Sequence, residues 1–409
     1  MIKPIAIYLP QFHPIPENDA AWGEGFTEWT NVKKAKPLFE GHDQPHIPHE
    51  DVGYYDLRDP EVLVKQAAMA KEYGIYGFAF YHYWFNGKRL LNLPLDNMLK
   101  LGKPDFPFCY IWANEPWSKR WDGSNNEVIQ TQTHSFEDDV NHIRFLCENV
   151  FSDKRYIKID GKPMFIVYRT ELFPNISKTA KIWRREVKKY GFKDIFLVRV
   201  EHFVAGVNPL TINFDAGMEF APDTRKWGIG RSKFNESELE YTDYNYIECV
   251  ANMVIKKYDY VAFRCVFPSW DNSSRRKKNV VIFSNAQTDI FLYFVFKIFK
   301  YTKNNLPKEK QYVFINAWNE WAEGCHIEPD KKNGYKYLEI IKSVLDNEKI
   351  CIPINYCNFI ENDRGTILLN TANFEKVNNS LEYKIGRLML YPIKKTMYYI
   401  KRILKIIMK

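Results

Sequence analysis

The sequence predicts an α/β fold, a (β/α)8 barrel of the TIM type, and two observations carry that prediction. Short apolar or aromatic runs alternate with longer helical patterns along most of the chain, the order expected of a parallel sheet closed on itself. Strand after predicted strand also ends in polar and aromatic side chains, and barrel enzymes build their active sites at the C-terminal strand ends. The length of 409 residues, 45% of them hydrophobic, is ample for such a core.

The elements follow in order. Residues 5–10 read as the first strand. A long loop, 17–55, carries Trp22, Gly23, Gly25, Phe26, Thr27, Glu28, Trp29, His42, His46 and His49. An amphipathic helix at 61–73 ends at Gly74. Strands are expected at 76–84 and 106–114, and a second long loop, 117–133, carries Arg120, Trp121 and Asp122. Long loops on that face shape a cleft. A helix at 136–151, a hairpin through Asp160-Gly161, a fourth strand at 164–169 and a helix at 178–190 come next. The fifth and sixth strands are 195–203 and 216–222, followed by a helix at 244–258. Strand 263–271, helix 285–301, strand 312–318 and helix 335–345 close the pattern. The expected organisation is a catalytic barrel over 1–350, an irregular extension over 351–380, and a basic amphipathic helix over 381–409.

Composition bounds the function. Aromatics make up 16% of the chain, with 11 Trp and 26 Tyr. Such a surplus suits stacking on flat ligands, sugar rings above all, although a core rich in aromatics has the same composition. The 7 Cys are scattered without a CxxC pair, which points to a reducing compartment rather than to disulfides or a zinc site. The N-terminal apolar run is too short for a signal peptide, and no run of about 18 apolar residues occurs, so a cytoplasmic location is expected. The eight basic residues from Lys384 onward equal the whole net charge of +8. The barrel is therefore near neutral and nucleic acid is not an expected partner.

The chemistry centres on Asn319-Glu320-Trp321-Ala322-Glu323, just past the last predicted strand. Glu320 and Glu323 are three positions apart, so a turn or helix starting at Trp321 aims both carboxylates the same way. Two carboxyls at a cleft floor can be pushed apart in pKa, one a neutral donor and one an ionised base, and glycoside chemistry needs that pair. Glu-x-x-Glu alone is common on exposed helices. Its place after a buried strand, between Trp318 and Trp321, raises its significance.

The segment 319–324, with Ile327-Glu328, resembles the catalytic segment of glycoside hydrolase family 99, the endo-α-mannosidase group. The rest resembles more closely the related WbsX-type family of bacterial O-antigen and capsule loci. Matching stretches include Tyr8-Leu9-Pro10-Gln11-Phe12-His13, Gly25-Phe26-Thr27-Glu28-Trp29-Thr30-Asn31-Val32, Tyr81-His82-Tyr83-Trp84-Phe85, Trp112-Ala113-Asn114-Glu115 and Trp270-Asp271-Asn272. The resemblance covers about residues 1–350. It implies a barrel and a retaining mechanism without a metal or other cofactor. Glu320 would act as base on the sugar's own 2-hydroxyl, by way of a 1,2-anhydro sugar, and Glu323 as acid/base. Ala322 departs from the pattern, since family 99 usually has His there.

Supporting residues come from the strand ends. Trp112, Trp117, Trp121 and Trp270 are candidates to stack on sugar faces. Asn114, Glu115, Asp122, Glu219, Asp271 and Asn272 are candidates to bind hydroxyls, and Tyr8, His82 and Tyr83 to orient the reacting sugar. Gln11, Trp84, Asn319 and Trp321 complete the set, and for any one of these a structural role is equally open. The run Arg275-Arg276-Lys277-Lys278 reads as a solvated face, with an acidic sugar or lipid phosphate as the other reading.

Three functions fit. The first is a retaining glycoside hydrolase or transglycosylase acting on a bacterial surface polysaccharide or its lipid-linked precursor. The second is a glycosyltransferase of the same loci, although no glycine-rich phosphate loop or clear Asp-x-Asp motif is present. The third is a non-catalytic carbohydrate-binding barrel, disfavoured because a binder has no use for the paired carboxylates. In the tail, Ile393, Met397, Ile400, Leu404 and Ile407 form one apolar stripe flanked by Lys394, Lys395, Lys401, Arg402 and Lys405. That pattern predicts a helix lying on an anionic membrane surface, peripheral on the inner face of the cytoplasmic membrane. A helix packed on the barrel or on a partner is the alternative.

Overall fold

The structure is a computed structural model that describes residues 1–119, 127–204, 206–223, 227–235 and 239–346, together with the backbone of 359–361 and 367–369. Eight parallel strands form the barrel: β1 (Lys3–Tyr8), β2 (Gly77–Phe85), β3 (Phe108–Trp112), β4 (Lys162–Val167), β5 (Phe196–Glu201), β6 (Ala216–Glu219), β7 (Ala262–Val266) and β8 (Tyr312–Ile315). Each pairs with the next, and β1 pairs with both β2 and β8, which closes the sheet. Closure buries the strands on both faces, so they read as continuous apolar runs; all nine residues of β2 are buried.

Nine helices are described: α1 (Pro16–Trp22), α2 (Glu28–Lys34), α3 (Pro60–Glu72), α4 (Leu93–Leu101), α5 (Phe136–Leu146), α6 (Ile176–Lys189), α7 (Tyr246–Val254), α8 (Thr288–Asn305) and α9 (Lys336–Asp346). Their ends follow local chemistry. Asp59 caps α3 by accepting from the Glu61 N–H, with Pro60 in the first turn. Gly74 then turns the chain at φ +80, where a β-carbon would lie 2.6 Å from Leu345. Ser135 caps α5 and Asn175 caps α6 in the same way.

The departures from expectation are local. Helix α4 is absent from the sequence reading because its nine residues, opened by Leu93-Pro94, give barely two turns of period. Between β5 and β6, where the sequence predicts no helix, the described residues hold a 3₁₀ turn, Pro209–Ile212. The helix expected from 244 starts at Tyr246, because Glu240–Asn245 is a strand. It pairs in parallel with Val280–Ser284 and antiparallel with Arg231–Phe234. The expected helix 136–151 is α-helical to Leu146 and finishes in a π turn, Cys147–Phe151.

The chain divides into two units, Met1–Glu348 and Lys349–Lys409. In the second, Phe359–Glu361 pairs antiparallel with Ile367–Leu369. The expected amphipathic tail, 381–409, lies outside the described residues, as do Trp121 and Asp122. Among the described residues no helix is long and apolar enough to cross a membrane, and Cys109, Cys147, Cys249, Cys265 and Cys325 are buried free thiols.

Candidate active site

The segment after β8 is a tight hairpin. Asn319–Glu320 pairs antiparallel with Cys325–His326 around the 3₁₀ turn Trp321–Glu323. Gly324 closes it at φ +57, where a β-carbon would lie 3.1 Å from Asp271 atoms. Three anchors hold the hairpin. Asn319 accepts from the Leu9 N–H at 2.8 Å and donates to the Leu9 carbonyl at 3.1 Å. The Asp271 N–H donates to the Glu323 carbonyl at 2.7 Å. Ser274 Oγ donates to the Ala322 carbonyl at 2.7 Å.

Glu320 and Glu323 line one cleft of about 420 Å³ at the C-terminal end of the barrel. Leu9, Gln11, Tyr81, Tyr83, Ala113, Glu115, Pro116, Trp117, Tyr168, His202, Phe220, Trp227, Trp270, Asn272, Arg275 and Arg276 line it with them. Glu320 is 6% exposed and its Oε2 has no partner. Burial pushes its pKa up to about 7; Arg275 pulls it down and the Glu28 charge adds to the rise. Tyr81, Tyr83 and Tyr168 all feel the Glu320 charge, and burial holds their hydroxyls neutral. Glu323 is instead ion-paired with Arg275. Gln11 is fully buried and leaves both amide atoms without a protein partner, as do the indole nitrogens of Trp227 and Trp270. Such a wall, with aromatic faces and free polar atoms, suits a polyhydroxylated ligand.

Strand parity decides which predicted residues reach this cleft. Side chains alternate along a strand, so Leu9, Tyr81, Tyr83, Ala113 and Glu115 face the cleft while their neighbours face the helices. Tyr8 donates to Gln66 of α3 at 2.6 Å. His82 lies 3.0 Å from His142 of α5, and Trp84 donates to Asp138 of the same helix at 3.0 Å. Trp112 is 1% exposed and packs on His142 and Trp183. Glu219 meets Arg264 at 2.8 Å in a buried ionic cluster with Lys256. None of these five is at the cleft. Asn114 is spent on the Arg169 backbone. Asp271 faces a neighbouring hollow on the far side of Trp270, held by His42 and Gln44 at 2.8 Å each. Trp321 is buried beneath the hairpin, and Asn319 is the anchor already described.

Gln11, Tyr83, Glu115, Trp117, Trp270, Asn272, Glu320 and Glu323 are brought together. Glu115 is ion-paired with Arg169, Asn272 Oδ1 accepts from the Val281 N–H, and Trp117 donates to Asn18 at 3.1 Å. The basic run divides: Lys277 and Lys278 are exposed, but Arg275 and Arg276 line the cleft, so the solvated face expected for the whole run holds only for its second half. Sequence reasoning passed over Tyr81, Tyr168, His202 and Trp227, and it gave Glu28 no site role. The period-2 relation of Tyr81 to Tyr83 was the available signal for one of them. Among the described residues no group of three or more His, Cys, Asp or Glu is arranged to hold a metal ion.

A family model described as Glycosyltransferase WbsX matches residues 4–341. A protein of Xanthomonas campestris pv. campestris strain B100, described as Uncharacterized protein WxcX, is 39% identical over 357 residues, covering 85% of this chain and 51% of that one. The chain thus spans about half the length of the curated relatives it matches, with 51% covered in a second strain as well. Among solved structures, a glycoside hydrolase-like protein superposes with a TM-score of 0.54 at 14% identity, covering 84% of this chain and 93% of that one. The family 99 endo-α-mannosidase of Bacteroides thetaiotaomicron, in complex with bis-tris-propane, gives 0.52 at 16% identity, covering 84% and 96%. At these identities the likeness shows the fold.

Proposed function

The chain belongs to the Glycosyltransferase WbsX family, and from that premise we propose that it is a glycan-active enzyme that cleaves or transfers a glycosidic bond with retention, Glu320 acting as base and Glu323 as acid/base. The observation that carries the reading is the placement of both carboxylates on one cleft in contrasting surroundings. Glu320 is buried and unpartnered, Glu323 is paired with Arg275. A carboxylate with a pKa of about 7 is a strong enough base to draw a proton from a hydroxyl near neutral pH. The fold shared with an endo-α-mannosidase supports the same reading.

In this mechanism Glu320 takes the proton of the sugar 2-hydroxyl as O2 bonds to C1. The C1–O bond to the leaving group breaks, and Glu323 gives its proton to that oxygen. Water or a sugar hydroxyl then attacks C1 and passes its proton to Glu323. The C1–O2 bond breaks and O2 recovers the proton held by Glu320, so both groups return to their starting state. Arg275 holds the Glu323 carboxylate in the free cleft, so that ion pair has to open for Glu323 to reach the leaving oxygen. Gln11, Trp227 and Trp270 supply polar atoms and ring faces for the sugar.

The substrate class we infer is a bacterial surface polysaccharide or its lipid-linked precursor. Transfer to a sugar hydroxyl is the second reading, favoured by the family's description. The test is incubation with lipid-linked or released polysaccharide, with mass spectrometry of the products and an NMR time course of the new anomeric centre. Retention is expected. Inversion rejects the mechanism, and release of a nucleotide from a nucleotide-sugar donor selects the transferase over the hydrolase.

A further inference from the structure

We propose that Glu28 is a positioning residue of the reaction centre, which fixes the segment between Glu320 and Glu323 and sets the charge that Glu320 feels. The inference rests on the catalytic reading of Glu320 and Glu323. Glu28 opens helix α2, whose entry is fixed by Thr27 and Thr30 in a capping box. An acidic residue in a first helical turn ordinarily faces water and favours the helix dipole. Glu28 is instead 0% exposed.

Its contacts explain where it points. The Glu28 N–H donates to the Gln11 carbonyl at 3.0 Å, which ties α2 to the end of β1. Its Oε1 accepts from the N–H of Ala322 at 3.1 Å, the residue between the two carboxylates, and lies 3.9 Å from Arg275 Nη1. The other arm of Arg275 holds Glu323. Glu28 Oε2 is buried without a partner, as is Oε2 of Glu320. The ring of Trp29, the next residue of α2, lies 5.4 Å from that of Trp321.

Three carboxylates therefore face one guanidinium, in a place where two are fully or nearly fully buried. Unpaired buried charge is costly, and carboxylates sharing a site raise one another's proton affinity. Glu28 acts on Glu320 in two ways of the same sign: its own charge disfavours a second anion, and it shares Arg275, the cation that would otherwise relieve Glu320. Burial and the Glu28 charge both raise Glu320, against Arg275. Burial likewise raises Glu28, against Arg275 and the Ala322 N–H. The other titratable or charged groups that line the cleft with Glu320 are Glu115, Glu323, His202, Arg275, Arg276, Tyr81, Tyr83 and Tyr168, and Cys325 also feels its charge. Burial keeps the three hydroxyls and the thiol protonated near neutral pH, and Arg275 and Glu28 are the charged groups that bear on Glu320.

The test is a 13C NMR titration of the full chain with glutamate labelled at Cδ, the Glu320 signal being identified by its loss in Glu320→Gln. Glu28→Gln keeps an acceptor for the Ala322 N–H and removes the charge. The Glu320 midpoint is expected to fall by about one pH unit, a tenfold loss of proton affinity. Glu28→Asp, which keeps the charge, is expected to leave the midpoint above that of Glu28→Gln. Linkage requires the reciprocal effect, a lower Glu28 midpoint in Glu320→Gln, and that variant leaves Glu28 in place should Glu28→Gln not fold. An unmoved Glu320 midpoint in a folded Glu28→Gln, or an unmoved Glu28 signal in Glu320→Gln, overturns the proposal. The titration needs no substrate. Survival of turnover in Glu320→Gln would remove the catalytic reading by a separate measurement.

Discussion

Trp321 donates its indole N–H to Oε2 of Glu328 at 2.7 Å. The same carboxylate accepts from Trp318 Nε1 at 2.8 Å, Gln66 Nε2 at 2.6 Å and the Tyr55 hydroxyl at 3.0 Å. A carboxylate has about four lone-pair sites, so this fully buried group is saturated with donors. The two indoles come from either side of Glu320. Glu328 therefore holds the residues that flank the proposed base, and α3 joins the clamp through Gln66. Burial raises its pKa to about 7 while the four donors pull it down.

Replacing this acceptor is expected to cost stability. Glu328→Gln puts an NH2 group where an indole or hydroxyl needs an acceptor and leaves a buried donor unsatisfied, at about 1–3 kcal/mol. Thermal unfolding should show a lower Tm for Glu328→Gln and a smaller drop for Trp321→Phe, which removes one donor. An unchanged Tm for Glu328→Gln would mean that the clamp contributes nothing.

The pH profile tests the roles of the carboxylates. Burial places Glu320 at about 7, and a base must be ionised in the free enzyme. Plotted as kcat/KM, activity should fall as pH drops through about 7, because protonation removes the base. Were Glu320 the acid, activity would fall above that pH instead. The limb that bends near 7 thus distinguishes the two assignments, and its disappearance in Glu320→Gln assigns it.

The barrel was legible in the sequence because closed parallel strands need apolar runs and their ends carry polar groups. That Glu320 and Glu323 share one cleft was legible because the two lie three positions apart in the chain. Parity was not legible. Runs such as His82-Tyr83-Trp84 offer polar and aromatic atoms on both faces of a strand, and only the packing of α5 shows that Tyr83 turns inward while its neighbours turn out. Nor was Glu28, which meets Ala322 across 294 positions of chain. A carboxylate in a segment that reads as loop from sequence, and that opens helix α2 in the structure, has no local sign that it will be buried.

Parity predicts opposite phenotypes for two aromatic residues. Tyr83→Phe removes one cleft hydroxyl and should lower kcat/KM by about tenfold, the worth of one hydrogen bond to a reacting sugar, with little change in Tm. Trp112→Ala removes a ring packed between the barrel and α5, and should cost about 3–5 kcal/mol of stability. Denaturant unfolding beside steady-state kinetics separates the two effects. A stable but inactive Trp112→Ala would place that ring in catalysis and contradict the packing argument.

The basic tail gives the last prediction, argued from its sequence. From Lys384 onward eight basic residues occur without an acidic one, beside the stripe Ile393, Met397, Ile400, Leu404 and Ile407. Near an anionic surface each basic residue contributes about 1 kcal/mol, and an apolar stripe adds burial at the headgroup level. Tyr391, Tyr398 and Tyr399 suit the same depth. We propose that this segment brings the enzyme to lipid-linked glycan. In liposome flotation at low salt, the full chain should float with anionic vesicles and not with neutral ones, and a chain truncated at Glu382 should float with neither. Raising the salt should release the full chain, because the attraction is screened within a Debye length of about 10 Å at 0.1 M. Equal behaviour of the two chains would remove the membrane proposal and leave the argument for the cleft intact, since none of the cleft residues lies beyond Glu323.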